Sequence, residues 1–143
     1  MKRLAGVLAF VACHATAPPP AARAVPSALT AVLTLARHDY ARDSDVEVTV
    51  DLRNDTASPI DENAAALSSA IVLVEVRDAS GHRVAPESPP VPSMETRRFA
   101  PGEHATVKVS LGIFSPPLAR GAYEVAPAPS IAHGAAVSFA IAP

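Results

Sequence analysis

The chain has 143 residues, with 15 Pro, 6 Gly, one Cys, no Trp, and four Phe and two Tyr as its only aromatics. That suffices for one domain with an aliphatic core, and excludes a kinase, a two-domain dehydrogenase or a multi-span transporter. Twelve Lys and Arg against fourteen Asp and Glu give a formal charge of −2, and the basic residues are scattered apart from Arg97-Arg98, so no footprint for nucleic acid is present.

Met1-Lys2-Arg3 is a short positive start, followed by an apolar and small-residue run from Leu4 to Ala12. This is the layout of a secretory signal, predicted over residues 1–12. Nine residues rise roughly 14 Å as a helix, short of the ~30 Å hydrocarbon core, so the run serves export and not spanning. It stops at Cys13, and Phe10-Val11-Ala12-Cys13 resembles the lipobox of bacterial lipoproteins. The resemblance implies a diacylated Cys13 as the mature N-terminus, with acyl chains holding the protein on a membrane at about 0.8 kcal/mol per buried CH₂. The alternative is cleavage further on, after Ala15 or Ala17, giving a soluble periplasmic or secreted chain. With one cysteine there is no internal disulfide. Without Lys2 and Arg3, ten basic residues face fourteen acidic, a net −4 for the exported portion. Residues 13–28, with Pro18-Pro19-Pro20, offer no apolar face and are predicted as an extended tether reaching some tens of Å at ~3 Å per residue.

From Leu29 onward the hydrophobic period is two, which puts apolar side chains on one face of a strand and polar ones on the other. A first strand is predicted over Leu29 to Ala36. Val46-Glu47-Val48-Thr49-Val50-Asp51-Leu52-Arg53 is the clearest case. Asn54 to Ser69 is predicted as an irregular insertion, with a short helical turn over Asp61 to Leu67 because acids at its start suit the helix dipole. Ala70 to Val76 is apolar on both faces until Glu75, predicting a strand covered on both sides. The turn Asp78-Ala79-Ser80-Gly81 follows, where Gly supplies the positive φ of a tight hairpin before His82 to Ala85 returns. Pro86 to Ser93 holds four prolines in eight residues and must be an edge or a loop. Pro101-Gly102 turns the chain into Val107 to Leu111, and Gly121 precedes Tyr123 to Val125; Val137 to Ile141 is the last strand.

About seven short strands over residues 29–143, with no long amphipathic helix, predict an all-β fold: an immunoglobulin-like, two-sheet antiparallel β-sandwich, with a barrel as the alternative. In chain order, the strand Val46 to Asn54, "T-x-S-P" at Thr56 to Pro59, Val72 to Val84 with "D-x-S-G", "F-A-P-G-E" at Phe99 to Glu103 and "G-A-Y-E-V" at Gly121 to Val125 form a series. It resembles extracytoplasmic immunoglobulin-like modules, including the BsuPI-like proteinase-inhibitor family, over about residues 45–126. The chain departs from that pattern in lacking Trp in Val107 to Leu111 and in carrying the 54–69 insertion. Tyr123 is expected to pack with its hydroxyl bonded to nearby backbone.

Chemistry-bearing patterns are sparse. His14, His38, His82, His104 and His133 lack the i,i+2 or i,i+4 neighbours of zinc sites, and Met94 is the one soft ligand in the folded part, so no metal site is assigned. Asp39, Asp43 and Asp45 fall in a charged stretch between strands, without the glycine and bidentate glutamate of an EF-hand, and read as a solvated loop. No G-x-S-x-G, no S-x-x-K and no second thiol is present, and adjacent Asp61 and Glu62 point apart; no enzyme activity and no cofactor are expected. The stretch Pro86 to Pro101 is conformationally restricted and presents Met94, Arg97, Arg98 and Phe99 as candidate partner-binding residues. Prolines blunting a sheet edge are the plainer explanation. The functional expectation is an exported, lipid-anchored, non-catalytic protein-interaction module of the bacterial cell envelope. Its alternatives are a proteinase inhibitor acting through loop 86–101 and a metal carrier; the partners expected are a protein and, through the lipid, a membrane.

Overall fold

The computed structural model describes residues 29–63, 70–85, 96–114 and 116–142. The segments predicted as signal and tether, Cys13, Met94 and the prolines of 86–93 lie outside them.

Period-two alternation becomes strands along the chain: β1 (Leu29–Leu35), β2 (Asp39–Tyr40), β3 (Glu47–Arg53), β4 (Ile60–Asn63), β5 (Val74–Asp78), β6 (Arg83–Val84), β7 (Thr96–Phe99), β8 (His104–Ser110), β9 (Gly121–Pro127), β10 (Ala132–His133) and β11 (Val137–Ile141). Three single 3₁₀ turns, Asp43–Asp45, Ala70–Leu73 and Leu111–Ile113, are the helical elements among the described residues. One sheet has the order β10-β1-β3-β8, the second β2-β11-β9-β5-β6, and β4 with β7 forms a separate ribbon. The fold is the all-β sandwich expected. Its long strands, β1-β3-β8 facing β5-β9-β11, follow the A-B-E and C-F-G order of immunoglobulin-like domains.

Alternation sorts the side chains. Ala31 and Leu33 of β1, Val48, Val50 and Leu52 of β3, and Val109 of β8 meet Val74, Val76, Tyr123, Val125, Phe139 and Ile141 of the other sheet in one dry core. Outward on the first sheet lie Thr30, Thr34, Thr49, Thr106 and Lys108, in register across the strands. Val32, half exposed among them, is an isolated apolar side chain.

Four expectations are corrected. Asp61 to Leu67 does not open with a helical turn: Ile60–Asn63 is β4, paired with β7 in the register Ile60 to Phe99 and Asp61 to Arg98. Cross-strand partners 37 residues away outweigh the weak dipole preference of two acids. Ala70–Leu73 is 3₁₀, and the strand starts at Val74; a continuous apolar run carries no period to separate the two. Thr96–Phe99 is a strand and not loop. Two short pairings are parallel, β1 with β10 and β11 with β2. β10 thus closes the edge of the first sheet beside β1, and β2 closes the edge of the second beside β11.

Asn54 is the buried polar residue of the described core, 0 % exposed. Its Nδ2 donates to the carbonyls of Ser58 (2.8 Å) and Phe99 (3.0 Å), and its Oδ1 accepts from Thr56 N (3.0 Å) and Thr56 Oγ1 (2.7 Å). Its backbone N–H donates to Glu103 O and its carbonyl accepts from Gly102 N. The turn Asp78 to Gly81 forms as expected, with Gly81 at φ +82°. Gly134 is needed for space: a Cβ there would stand 2.0 Å from the Ala31 carbonyl oxygen, inside the β1–β10 contact.

Two substitutions test this frame by urea denaturation. Asn54→Ala, which orphans the amide's partners, is expected to cost about 3 kcal/mol. Gly134→Ala is expected to cost about 2 kcal/mol by forcing β10 off β1.

Candidate interaction surfaces

Of the four candidate partner-binding residues Met94 lies outside the described ones, and Arg97, Arg98 and Phe99 do not form one presenting loop. Phe99 is 0 % exposed; opposite Ile60 it fills the base of the ribbon, and Asn54 holds its carbonyl. It is a core residue and is unavailable to a partner. Arg97 and Arg98, neighbours on a strand, project to opposite faces. Arg98 donates from Nε and Nη2 to both carboxylate oxygens of Asp61, at 2.8 and 3.0 Å. Arg97 lies 4.8 Å over the Phe99 ring and donates to Glu103 Oε1 at 3.3 Å, while Glu103 Oε2 accepts from Ala100 N at 2.9 Å. The Arg98 hydrogen bond holds the Asp61 carboxyl below its usual range, and the Ala100 N–H, then Arg97, does the same for Glu103. Asp61 and Glu62 sit on opposite faces of β4, as adjacent strand residues must.

The four described histidines stay apart. His38 Nδ1 lies 3.1 Å from Ser138 O, His82 Nδ1 2.8 Å from Ser80 Oγ, His104 Nδ1 3.3 Å from Asp51, and His133 Nε2 3.5 Å from Thr30 Oγ1. Among the described residues no three His, Cys, Asp or Glu side chains gather as metal ligands. Asp43 accepts from Ser44 N and Leu118 N, and Asp45 faces Arg42 at 3.6 Å, so these two aspartates of the charged stretch do separate work, while Asp39 lies on β2.

Tyr123 behaves as expected. Its hydroxyl donates to Ala119 O at 2.8 Å, four residues upstream at the start of β9. Burial raises its pKa, with the charges of Asp78 and Asp43 adding to the effect. Its ring stacks on Phe139 (5.4 Å, 19°), and Tyr40 meets Phe139 edge-on (6.2 Å, 85°).

Behind these rings, on the outward side of the same strands, lies a depression of about 540 Å³ that strand periodicity did not flag. Across β2, β11 and β9 the outward row Asp39, Ala140, Ala122 is in register, and the next row is Ser138, Glu124, Arg77. Ala122, Ser138 and Ala140 make a floor of small side chains. His38, Asp39, Glu124, Arg77 and the Asp78 to Gly81 turn make the rim. The readable signal was Ala and Ser at alternate positions of Gly121 to Val125 and Val137 to Ile141, where the other sheet carries Thr, Glu and Lys. Arg77 turns away from Glu124 to pair with Glu75, which Arg83 also approaches at 3.6 Å. Asp78 Oδ1 accepts from Ser80 Oγ, Ser80 N and His82 N, and these bonds, the Ser80 hydroxyl first, keep its carboxyl below the usual range.

No protein-family model matches the chain, and no curated protein sequence matches it.

The carboxyl shifts fix a sign. The folded pKa values of Asp61, Asp78 and Glu103 lie below their ordinary 3.8 and 4.5, so their contribution is present above those values and is lost as pH falls through the lower folded ones. Carboxyl ¹³C titration is expected to find all three below those values, with Arg98→Ala returning Asp61 toward 3.8 and leaving Asp78 unmoved. Phe99→Ala is expected to cost about 4 kcal/mol in chemical denaturation, as for a core aromatic.

Proposed function

We propose that this chain is an exported, lipid-anchored, non-catalytic interaction module of the bacterial cell envelope, which meets its protein partner through the depression over β2, β9 and β11. The depression carries the reading. A small-residue floor on the outer face of a sheet lets another chain approach the backbone closely, and its rim supplies charged groups that fix orientation.

Position supports the anchor. β1 begins at the pole of the sandwich where Thr30 lies beside Arg53 and His104, and the depression lies at the pole where β1 ends and β2 follows. Seven residues of strand separate the two by about 20 Å. A chain held by acyl groups on Cys13 therefore enters the domain at one pole and presents the depression at the other. The basic start, the apolar run and the lone cysteine at its end support export and acylation. The inhibitor alternative loses Phe99 as a contact, because that ring is in the core.

Mass spectrometry of the protein from its bacterial host is expected to find a mature chain beginning at acylated Cys13, and Cys13→Ser is expected to move it from the membrane to the soluble fraction. A photo-crosslinking residue at Ser138 is expected to give a discrete adduct in cells, and one at Thr49 on the opposite sheet none. An unmodified N-terminus further along overturns the anchor; equal crosslinking at both positions overturns the surface.

A further inference from the structure

The charges around the depression are unevenly used. Arg77, its one arginine, is taken by Glu75 and by the Gly81 carbonyl, to which Nη1 donates at 3.3 Å. His38 sits against the Ser138 carbonyl. Asp39 and Glu124, exposed on the rim, have no cationic partner among the described residues, and Asp78 is held ionised by N–H and O–H donors. Between Asp39 and Glu124 lie Ala122, Ala140 and Ser138, an uncharged floor the width of two strands. Apolar stem surface flanked by carboxylates complements one side-chain design: a methylene chain ending in a cation, the form of lysine and arginine.

We propose that the depression over β2, β9 and β11 is a docking groove for an extended peptide segment bearing lysine or arginine, whose methylenes lie on Ala122 and Ala140 and whose charged head meets Asp39 or Glu124. This rests on the depression being the interaction face proposed above. A peptide fits better than a free polyamine because the groove is open to solvent. A small free ligand needs most of its surface enclosed, whereas a segment of a larger partner draws contact from the surrounding sheet.

The test titrates the purified full-length chain with a fluorescein-labelled hexapeptide holding two lysines among alanines, read by anisotropy at low salt. Saturable binding is expected, weakened about tenfold on raising NaCl from roughly 0.05 to 0.5 M because the contacts are surface charges. The double variant Asp39→Asn with Glu124→Gln is expected to lose about tenfold in affinity with an unchanged circular dichroism spectrum. Asp55→Asn, an exposed carboxylate at the far pole, is expected to lose nothing. Equal affinity for the wild type and the double variant, or no saturable binding at low salt, overturns the proposal. Spermidine competing as tightly as the peptide overturns the peptide assignment. A Ser138 crosslink in cells with no lysine-peptide binding leaves the interaction face standing and removes only its cationic occupant.

Discussion

The arrangement of one pole depends on the side-chain amide of Asn54. An amide removed from water costs several kcal/mol unless its donors and acceptors are all met, and here both N–H groups and both lone pairs are. Meeting them ties together the end of β3, the turn through Thr56 and Ser58, the end of β7 and, through the backbone, the Gly102 turn into β8. Two motifs far apart in sequence, T-x-S-P and F-A-P-G-E, thus share one partner. The same amide explains why the double arginine is no free loop: it anchors the Phe99 carbonyl, so the ring enters the core and Arg97 and Arg98 leave on a two-stranded ribbon.

The opposite pole is organised by aromatic packing. Tyr40, Phe139 and Tyr123 come from β2, β11 and β9, and their contacts lock a two-residue strand parallel to the edge of a sheet. Strand alternation then dictates the reverse side. Positions between the rings face outward, and they are Asp39, Ser138, Ala140, Ala122 and Glu124. The depression is therefore backed by three packed rings, one pair stacked and one edge-on, and its floor moves only if they move with it.

Much of this was legible. Period-two patterning located β1, β3, β8, β9 and β11 and their buried faces, and turn chemistry located the Asp78 to Gly81 hairpin, because both are local rules. The misses have one physical source, interactions between distant residues. β2 and β10 are two residues long and exist only because β11 and β1 supply their partners. β4 and β7 pair across a separation of 37 residues between Asp61 and Arg98, against a local preference for turn and loop. The burial of Phe99 follows from that pairing, so a reading built on proline-restricted loops placed it at the surface. The depression was invisible for a different reason: an alanine on the polar side of a strand reads as low propensity until the neighbouring strand shows another alanine beside it.

Charge completes the contrast between the poles. On the ribbon every described cation is spent locally, Arg98 on Asp61 and Arg97 on Glu103, and the same holds on the first sheet for Lys108 with Glu47. Around the depression the local rule breaks. Arg77 has Glu75 along its own strand and Glu124 across to β9, and it takes the first, together with Arg83, so two cations share one carboxylate while Glu124 faces water. Leaving an exposed carboxylate solvated costs the fold almost nothing, since a surface ion pair would return at most about 1 kcal/mol. Unspent charge is therefore no defect of packing. On a rim beside a small-residue floor it is available to a partner, and it sets the sign of the partner's side chains without weakening the domain that presents it.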